Sequence, residues 1–132
     1  MANVLANAGR AIITALLNGG ATVPKYCGWG TGAGTSAATD TTLFTEKALD
    51  LATGTGTRTT GTTSQVTTSV TNDTIQIASG AMTATGAGTV TNCGVFDNAT
   101  IGSGNLYIKG DFTGIALGVG DSISFTFQHQ FS

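Results

Sequence analysis

The C-terminal stretch "DSISFTFQHQF", residues 121 to 131, alternates between apolar and polar side chains along its length. The apolar side carries, in order, Ile123, Phe125, Phe127, His129 and Phe131. Because successive side chains of a β-strand point to opposite faces, this alternation predicts a strand with one buried and one solvated face. Several of the chain's 6 phenylalanines lie here, so we predict that this isoleucine and these phenylalanines form a strand central to the core.

The composition of the rest of the chain also favours strands. The 132 residues include 20 glycines, one proline and abundant threonine, and only 9% are charged. Threonine is β-branched and favours strands, whereas glycine favours turns. The length is that of one domain. We therefore predict a single all-β domain over residues 1–132: one short N-terminal α-helix, then a jelly-roll-like or Greek-key β-sandwich over 21–132.

The N-terminal helix is predicted over residues 3–18. Apolar residues recur there at spacings of three and four, which is typical of an amphipathic helix. Asn3 is a suitable N-cap, and "NGG" at 18–20 is a typical helix end. Sheet edges with little charge promote association, so we predict that another subunit contacts a sheet edge or this apolar stripe, represented by Val4, Leu5, Ile12 and Leu16.

Two-residue periodicity and frequent turn signals divide the remainder into short strands. We predict a hairpin over 64–79 that turns at Asn72-Asp73, and a solvated hairpin or edge strand over 53–68. The other predicted strands are 22–29, 42–52, 81–91, 93–97, 105–109 and 112–117, with a loop at 30–40.

The stretch "YCGWGTGAGT", residues 26 to 35, has a glycine at every second position around the single tryptophan. Its spacing matches neither a phosphate-binding loop nor a dinucleotide fingerprint. We predict a structural bend in which Gly28, Trp29 and Gly30 form a loop pivot and the indole is buried.

Residues with catalytic or metal-binding chemistry are sparse. One histidine, His129, and two distant cysteines cannot supply the usual four zinc ligands, and no nucleophile motif is present. We predict a hydrogen-bonded core or interface histidine. Four aspartates lie in or beside predicted turns, where a structural role explains them: Asp73, Asp97, Asp111 and Asp121. No enzymatic activity, cofactor or metal is predicted, with calcium at "GVGDS" as a minor alternative.

Charge and hydropathy exclude further classes of function. The net charge is −2 and the five basic residues are scattered, so no basic stripe predicts nucleic-acid binding. The N-terminus lacks the basic region of an export signal, and no apolar run is long enough for a membrane helix. Cys27 and Cys93 could pair if the fold brings them together, but without a secretion signal we predict two buried free thiols.

Four stretches resemble small structural proteins of tailed bacteriophages. They are "NAGRAIITALLNGG" at 7–20, "PKYCGWGTGAGTSAATDTTLFTEKA" at 24–48, "TGAGTVTNCGVFDNAT" at 85–100 and "LYIKGDFTGIALGVGDSISFTFQHQF" at 106–131. The resemblance covers most of the chain, and its motifs are architectural.

This resemblance implies a non-enzymatic virion protein, with capsid cement or decoration as the leading hypothesis. Such a protein would assemble in the host cytoplasm, sit on the capsid exterior, bridge major capsid protein subunits and associate with copies of itself as a dimer or trimer. The alternative is a tail-fibre or adhesin module that binds a host-surface glycan. A small β-sandwich enzyme or lectin-like domain outside any virion is disfavoured because suggestive acid pairs are missing. Exposure of Trp29 beside Tyr26 would favour the adhesin, and its burial the structural protein.

Overall fold

A computed structural model describes residues 2–20 and 22–131. Strands account for 47% of the chain and helix for 9%, in two antiparallel sheets with one short N-terminal helix. This confirms the predicted all-β sandwich. In chain order the elements are β1 (Ala2–Leu5), α1 (Asn7–Leu17), β2 (Tyr26–Gly30), β3 (Glu46–Lys47), β4 (Thr59–Thr60), β5 (Thr62–Val66), β6 (Thr74–Thr83), β7 (Gly88–Phe96), β8 (Leu106–Leu117) and β9 (Ser122–Gln130).

The two sheets differ in width. The larger has six strands in the order β1-β8-β7-β2-β3, with β4 also paired to β2, and the smaller has the order β5-β6-β9. Both contribute to one apolar core, in which Trp29, Val90 and Val95 of the larger sheet join Ile77, Met82 and Phe127 of the smaller. Ile12 of α1 belongs to the same core.

Gly61 lets one stretch of chain pass from the larger sheet to the smaller. It lies between β4 and β5, and its N–H donates to the carbonyl of Lys25 at 2.7 Å. A Cβ atom here would lie 2.9 Å from the carbonyl oxygen of Ala78 and 3.0 Å from that of Lys25. Glycine therefore allows β5 to cross closely over the larger sheet on this side of the sandwich.

The N-terminal helix is shorter than the predicted range 3–18. Residues 2–5 instead form β1, in which Val4 is opposite Lys109 and Leu5 opposite Ile108. Ala6, with an extended backbone, occupies the N-cap position, so the prediction of Asn3 as the cap was wrong. Pairing with β8 provides hydrogen-bond partners for the backbone groups of residues 2–5, so these residues need no helical turn. The predicted end is confirmed, because α1 stops at Leu17 and Gly19 has a φ of 80°.

The alternation of the C-terminal strand is confirmed, but its central position was wrong. Among the described residues, β9 has a strand neighbour on one side only, β6. As a result Phe127 alone of the predicted core residues is buried, while Ile123 and Phe125 are half-buried. Phe131 follows the strand and is 50% exposed. An edge strand covers only part of the core, which the periodicity by itself does not reveal.

The predicted hairpin is also present, although its turn is longer than two residues. β5 and β6 pair as far as Val66 and Thr74, so residues 67–73 form the connection. The Asp73 carboxylate accepts hydrogen bonds from the backbone N–H groups of Thr68, Ser69 and Val70. These bonds organise a wider loop than the Asn-Asp pair predicts. The strands predicted at 105–109 and 112–117 are the single strand β8. The predicted loop at 30–40 is confirmed except for Gly30, which ends β2.

Candidate interaction surface

The predicted loop pivot lies inside a central strand. Gly28, Trp29 and Gly30 belong to β2, which pairs with β7 on one side and with β3 and β4 on the other, so the prediction of a pivot was wrong. The glycines are needed for close approach instead. A Cβ on Gly28 would lie 2.7 Å from Oε1 of Glu46, and one on Gly30 would overlap the carbonyl oxygen of Phe44. The burial of Trp29 is confirmed, and its Nε1–H donates to the carbonyl of Ala48 at 2.9 Å.

Arg58 is a buried cation whose side-chain hydrogen bonds all go to groups of the same chain. Its Nε and Nη2 donate to the two carboxylate oxygens of Glu46 at 2.6 and 3.0 Å. Its Nη1 donates to three carbonyls in the connection between β7 and β8, and the guanidinium lies 3.5 Å from the ring centre of Phe96. This arrangement ties β3 and β4 to that connection.

Lys109 is a second buried cation and anchors the loop before β3. Its Nζ donates to Asp40 Oδ2 and to the carbonyl of Thr42, both at 2.9 Å, and lies 3.2 Å from the ring centre of Phe44. The hydrogen bond from Lys109 holds the pKa of Asp40 below its usual value. Both cations therefore act as internal ties.

His129 forms a hydrogen bond within the sandwich, as predicted. Its Nδ1 and the hydroxyl of Tyr107 are 2.9 Å apart, and its ring centre is 4.5 Å from that of Phe131. Burial lowers the pKa of His129 and raises that of Tyr107 to about 12. Near neutral pH both groups are therefore uncharged, which suits a tie between the sheets.

The two cysteines are buried free thiols, as predicted. They lie in the neighbouring strands β2 and β7, where Cys27 is opposite Val95 and Cys93 opposite Trp29. Burial raises the pKa of each thiol to about 12. Both are therefore protonated at neutral pH and behave as small apolar core residues.

An open apolar groove occupies one end of the sandwich. It lies between the last turn of α1, the segment before β2 and the smaller sheet, and encloses about 230 Å³. We call it the end groove; its principal lining residues are Leu16, Leu17, Val23, Pro24, Ile75 and Phe131. Leu17 is 84% exposed, and Val23 and Phe131 are also exposed. Contiguous exposed apolar side chains are typical of interaction sites.

The predicted subunit-contact residues are dispersed over the molecule. Ile12 is buried in the chain's own core and is not available to a partner, so its inclusion was wrong. Val4 and Leu5 are half-buried in β1, and Leu16 lines the end groove. Sequence analysis missed Val23 and Phe131 as groove residues because helical periodicity cannot indicate which distant segments meet the helix end.

Within residues 2–20 and 22–131, no cluster of three or more histidine, cysteine or acidic side chains could hold a metal ion. No helix in this part of the chain is long and apolar enough to cross a membrane. Comparison of the chain with protein-family models, with curated proteins and with solved structures gave no match.

Proposed function

We propose that this chain is a non-enzymatic bacteriophage structural protein, a capsid cement or decoration protein that bridges major capsid protein subunits on the capsid exterior. The observation that carries the proposal is the end groove, where Leu17, Val23 and Phe131 expose apolar surface at one end of the sandwich. A subunit whose task is adhesion needs such a surface and needs no catalytic cluster. The resemblance of four sequence stretches to tailed-phage structural proteins supports the same conclusion.

The internal use of the polar side chains also supports a structural role. Arg58, Lys109 and His129 are all engaged by groups of the same chain. Trp29 is fully buried and therefore cannot stack against a sugar ring, which favours the structural protein over the glycan-binding module.

Weak contacts suffice for a cement protein because they are repeated over the shell. Burying one large apolar side chain contributes about 1.5–3 kcal/mol, so the groove of one copy supplies only a modest affinity. Copies that each bridge more than one capsid subunit gain further from effective concentration. The capsid then resists disassembly through many modest interfaces.

The direct test is binding to shells assembled from the major capsid protein of the phage that encodes this chain. We expect cryo-electron microscopy to locate the chain on the shell exterior in an icosahedral copy number. Leu17→Lys should abolish co-sedimentation with shells, because it places a charge in the groove while a cation near the end of α1 is compatible with the helix dipole.

Val119→Lys is the matched control. Val119 is 73% exposed and lies in the turn between β8 and β9, outside the groove. We expect this variant to co-sediment like the wild type. Copies found only at the tail, or equal shell binding by Leu17→Lys, would contradict the proposal.

A further inference from the structure

β9 presents a long free edge. Phe131 donates its N–H to the carbonyl of Asp73, and Phe125 donates its N–H to Ser79 Oγ, both on the β6 side. Because backbone groups alternate in direction along a strand, those of the even-numbered residues point away from β6. In the described part of the chain no strand pairs with that side of β9. The free donors and acceptors belong to Ser122, Ser124, Thr126, Gln128 and Gln130.

This edge lacks the features that usually prevent pairing with another chain. β9 contains no proline, lysine, arginine, aspartate or glutamate, whereas charges and proline are typical guards of exposed edges. β5, the opposite edge of the same sheet, has five residues against nine in β9. At the far edge of the larger sheet, β3 consists of Glu46 and Lys47. β9 is therefore the longest unguarded edge in the described structure.

Apolar surface lies beside this edge. β1 pairs with β8 over Ile108–Asp111, and no other described strand pairs with the following residues of β8 on that side. An open depression of about 530 Å³ lies between this part of β8 and β9, lined by Phe112, Ile115, Ile123 and Phe125. Ile115 is exposed, and the ring centres of Phe112 and Phe125 are 5.9 Å apart. A strand added at β9 would cover part of this depression.

We propose that β9 pairs antiparallel with β9 of a second copy, across a two-fold axis at Thr126. Thr126 is the midpoint of Ser122–Gln130 and carries free backbone groups, so this register uses the whole strand. Thr126 is then opposite its own symmetry mate, and Ser124 is opposite Gln128 of the other copy. An isologous pair needs a self-complementary strand, and the neutral outward side chains of β9 meet without like-charge repulsion.

The same register pairs Phe125 of one copy with Phe127 of the other on the inner face, where cross-strand aromatic contacts stabilise a sheet. β1 extends the larger sheet beyond β8, which lines the depression beside β9. The joined smaller sheets must therefore bend, so that the two larger sheets splay apart. The inference deepens the proposed function by naming the surface for self-association. It is tested on isolated protein, so its failure is distinct from a failure to bind shells.

The test uses charge complementation at the two-fold axis. We expect the wild type to sediment as a dimer at micromolar concentration, and Thr126→Lys and Thr126→Glu each to sediment as monomers because each places like charges face to face. An equimolar mixture of the two variants should form heterodimers, and added salt should weaken them. Circular dichroism of each variant establishes that it is folded.

Ser64→Lys is the matched control, because Ser64 is an exposed residue on β5, at the opposite edge of the same sheet. We expect it to remain dimeric. A monomeric wild type would overturn the proposal. So would Thr126→Lys with unchanged self-association, or a mixture of the two folded Thr126 variants that stays monomeric.

Discussion

At the scale of single residues, the glycines of β2 allow a neighbouring segment to approach closely and do not form a turn. Gly28 and Gly30 lie in a buried strand, and the segment leading into β3 crosses directly over them. This crossing brings Glu46 to Arg58 and Phe44 to Lys109. Two positions without side chains thus permit both internal cation ties.

Gly30→Ala should therefore destabilise the protein. The added methyl group would overlap the carbonyl oxygen of Phe44 and crowd Asn92, and overpacking of this kind costs about 1–3 kcal/mol. Urea denaturation measures the loss. Gly20→Ala is the control, because the nearest atom to its added Cβ is 4.0 Å away. Equal stabilities of the two variants would contradict the proposed close approach.

His129 makes stability depend on pH in a defined direction. Burial lowers the pKa of His129 below 6.5, so below that pH the unfolded chain takes up a proton that the folded chain resists. We expect the free energy of unfolding to fall as the pH is lowered from about 7 to 5, and His129→Gln to remove most of this slope. Asp40, Asp73 and Asp111 have lowered pKa values and affect stability only at more acidic pH. An unchanged slope in the variant would exclude His129 as its source.

At the scale of elements, periodicity predicted β9 but not its neighbours. Alternation reports which side chains share a face, whereas the difference between an edge and a centre depends on pairing with strands remote in sequence. β1 illustrates the same limit. Val4 and Leu5 fit a helical spacing, yet their backbone pairs with β8. Local sequence does not reveal this pairing because β8 is remote in sequence. The end groove is lined by residues from six separate segments of the chain, and local sequence patterns could not predict it for that reason.

The edge position of β9 predicts unequal effects for its aromatic residues. Phe127 is 8% exposed, and its replacement by alanine should destabilise the fold by about 3–5 kcal/mol through lost burial and a cavity. Phe131→Ala should cost about 1 kcal/mol or less, because this side chain is half exposed. Thermal and urea unfolding compare the two. Similar large losses would mean that Phe131 is also a core residue.

The Arg58–Glu46 pair joins three elements, so neutralising one partner should have a large effect. Glu46→Gln leaves the Arg58 charge buried without its carboxylate, at a cost of about 3–5 kcal/mol. Lys47→Gln changes the neighbouring residue of β3, whose Nζ donates only to the exposed carbonyl of Ala52, and should cost about 0.5 kcal/mol or less. Chemical denaturation of both variants measures the contrast. A mild effect of Glu46→Gln would imply that the pair is hydrated.

At the scale of the whole molecule, buried polar groups hold the loops against the larger sheet, and exposed apolar side chains lie at the margins of the sandwich. The side from β4 to β5 is closed by a continuous chain at Gly61, and buried ion pairs fix the loops on the larger sheet. The end groove lies where Phe131 follows β9, whereas the free backbone groups of β9 lie along its edge from Ser122 to Gln130. Under the two proposals, the groove contacts the shell and the edge contacts a second copy.

The reactivity of the two cysteines measures whether the apolar core becomes exposed in one cooperative step. Cys27 and Cys93 lie in adjacent strands and are 0% and 2% exposed, so a reagent cannot reach them in the folded protein. Burial also raises the pKa of each thiol to about 12. Since only the thiolate reacts, iodoacetamide should label neither cysteine in the folded protein. Both should become labelled together, with the same urea dependence as global unfolding, because β2 and β7 are exposed only when the core separates.

A Val119→Cys variant provides the reference, because its thiol lies on an exposed turn and should react at once under native conditions. Mass spectrometry after a labelling pulse distinguishes the three sites. If Cys27 reacts before Cys93, the crossing at Gly61, which packs against Cys27 Sγ, opens independently of the rest. Such early labelling would contradict a sandwich that unfolds as one cooperative unit.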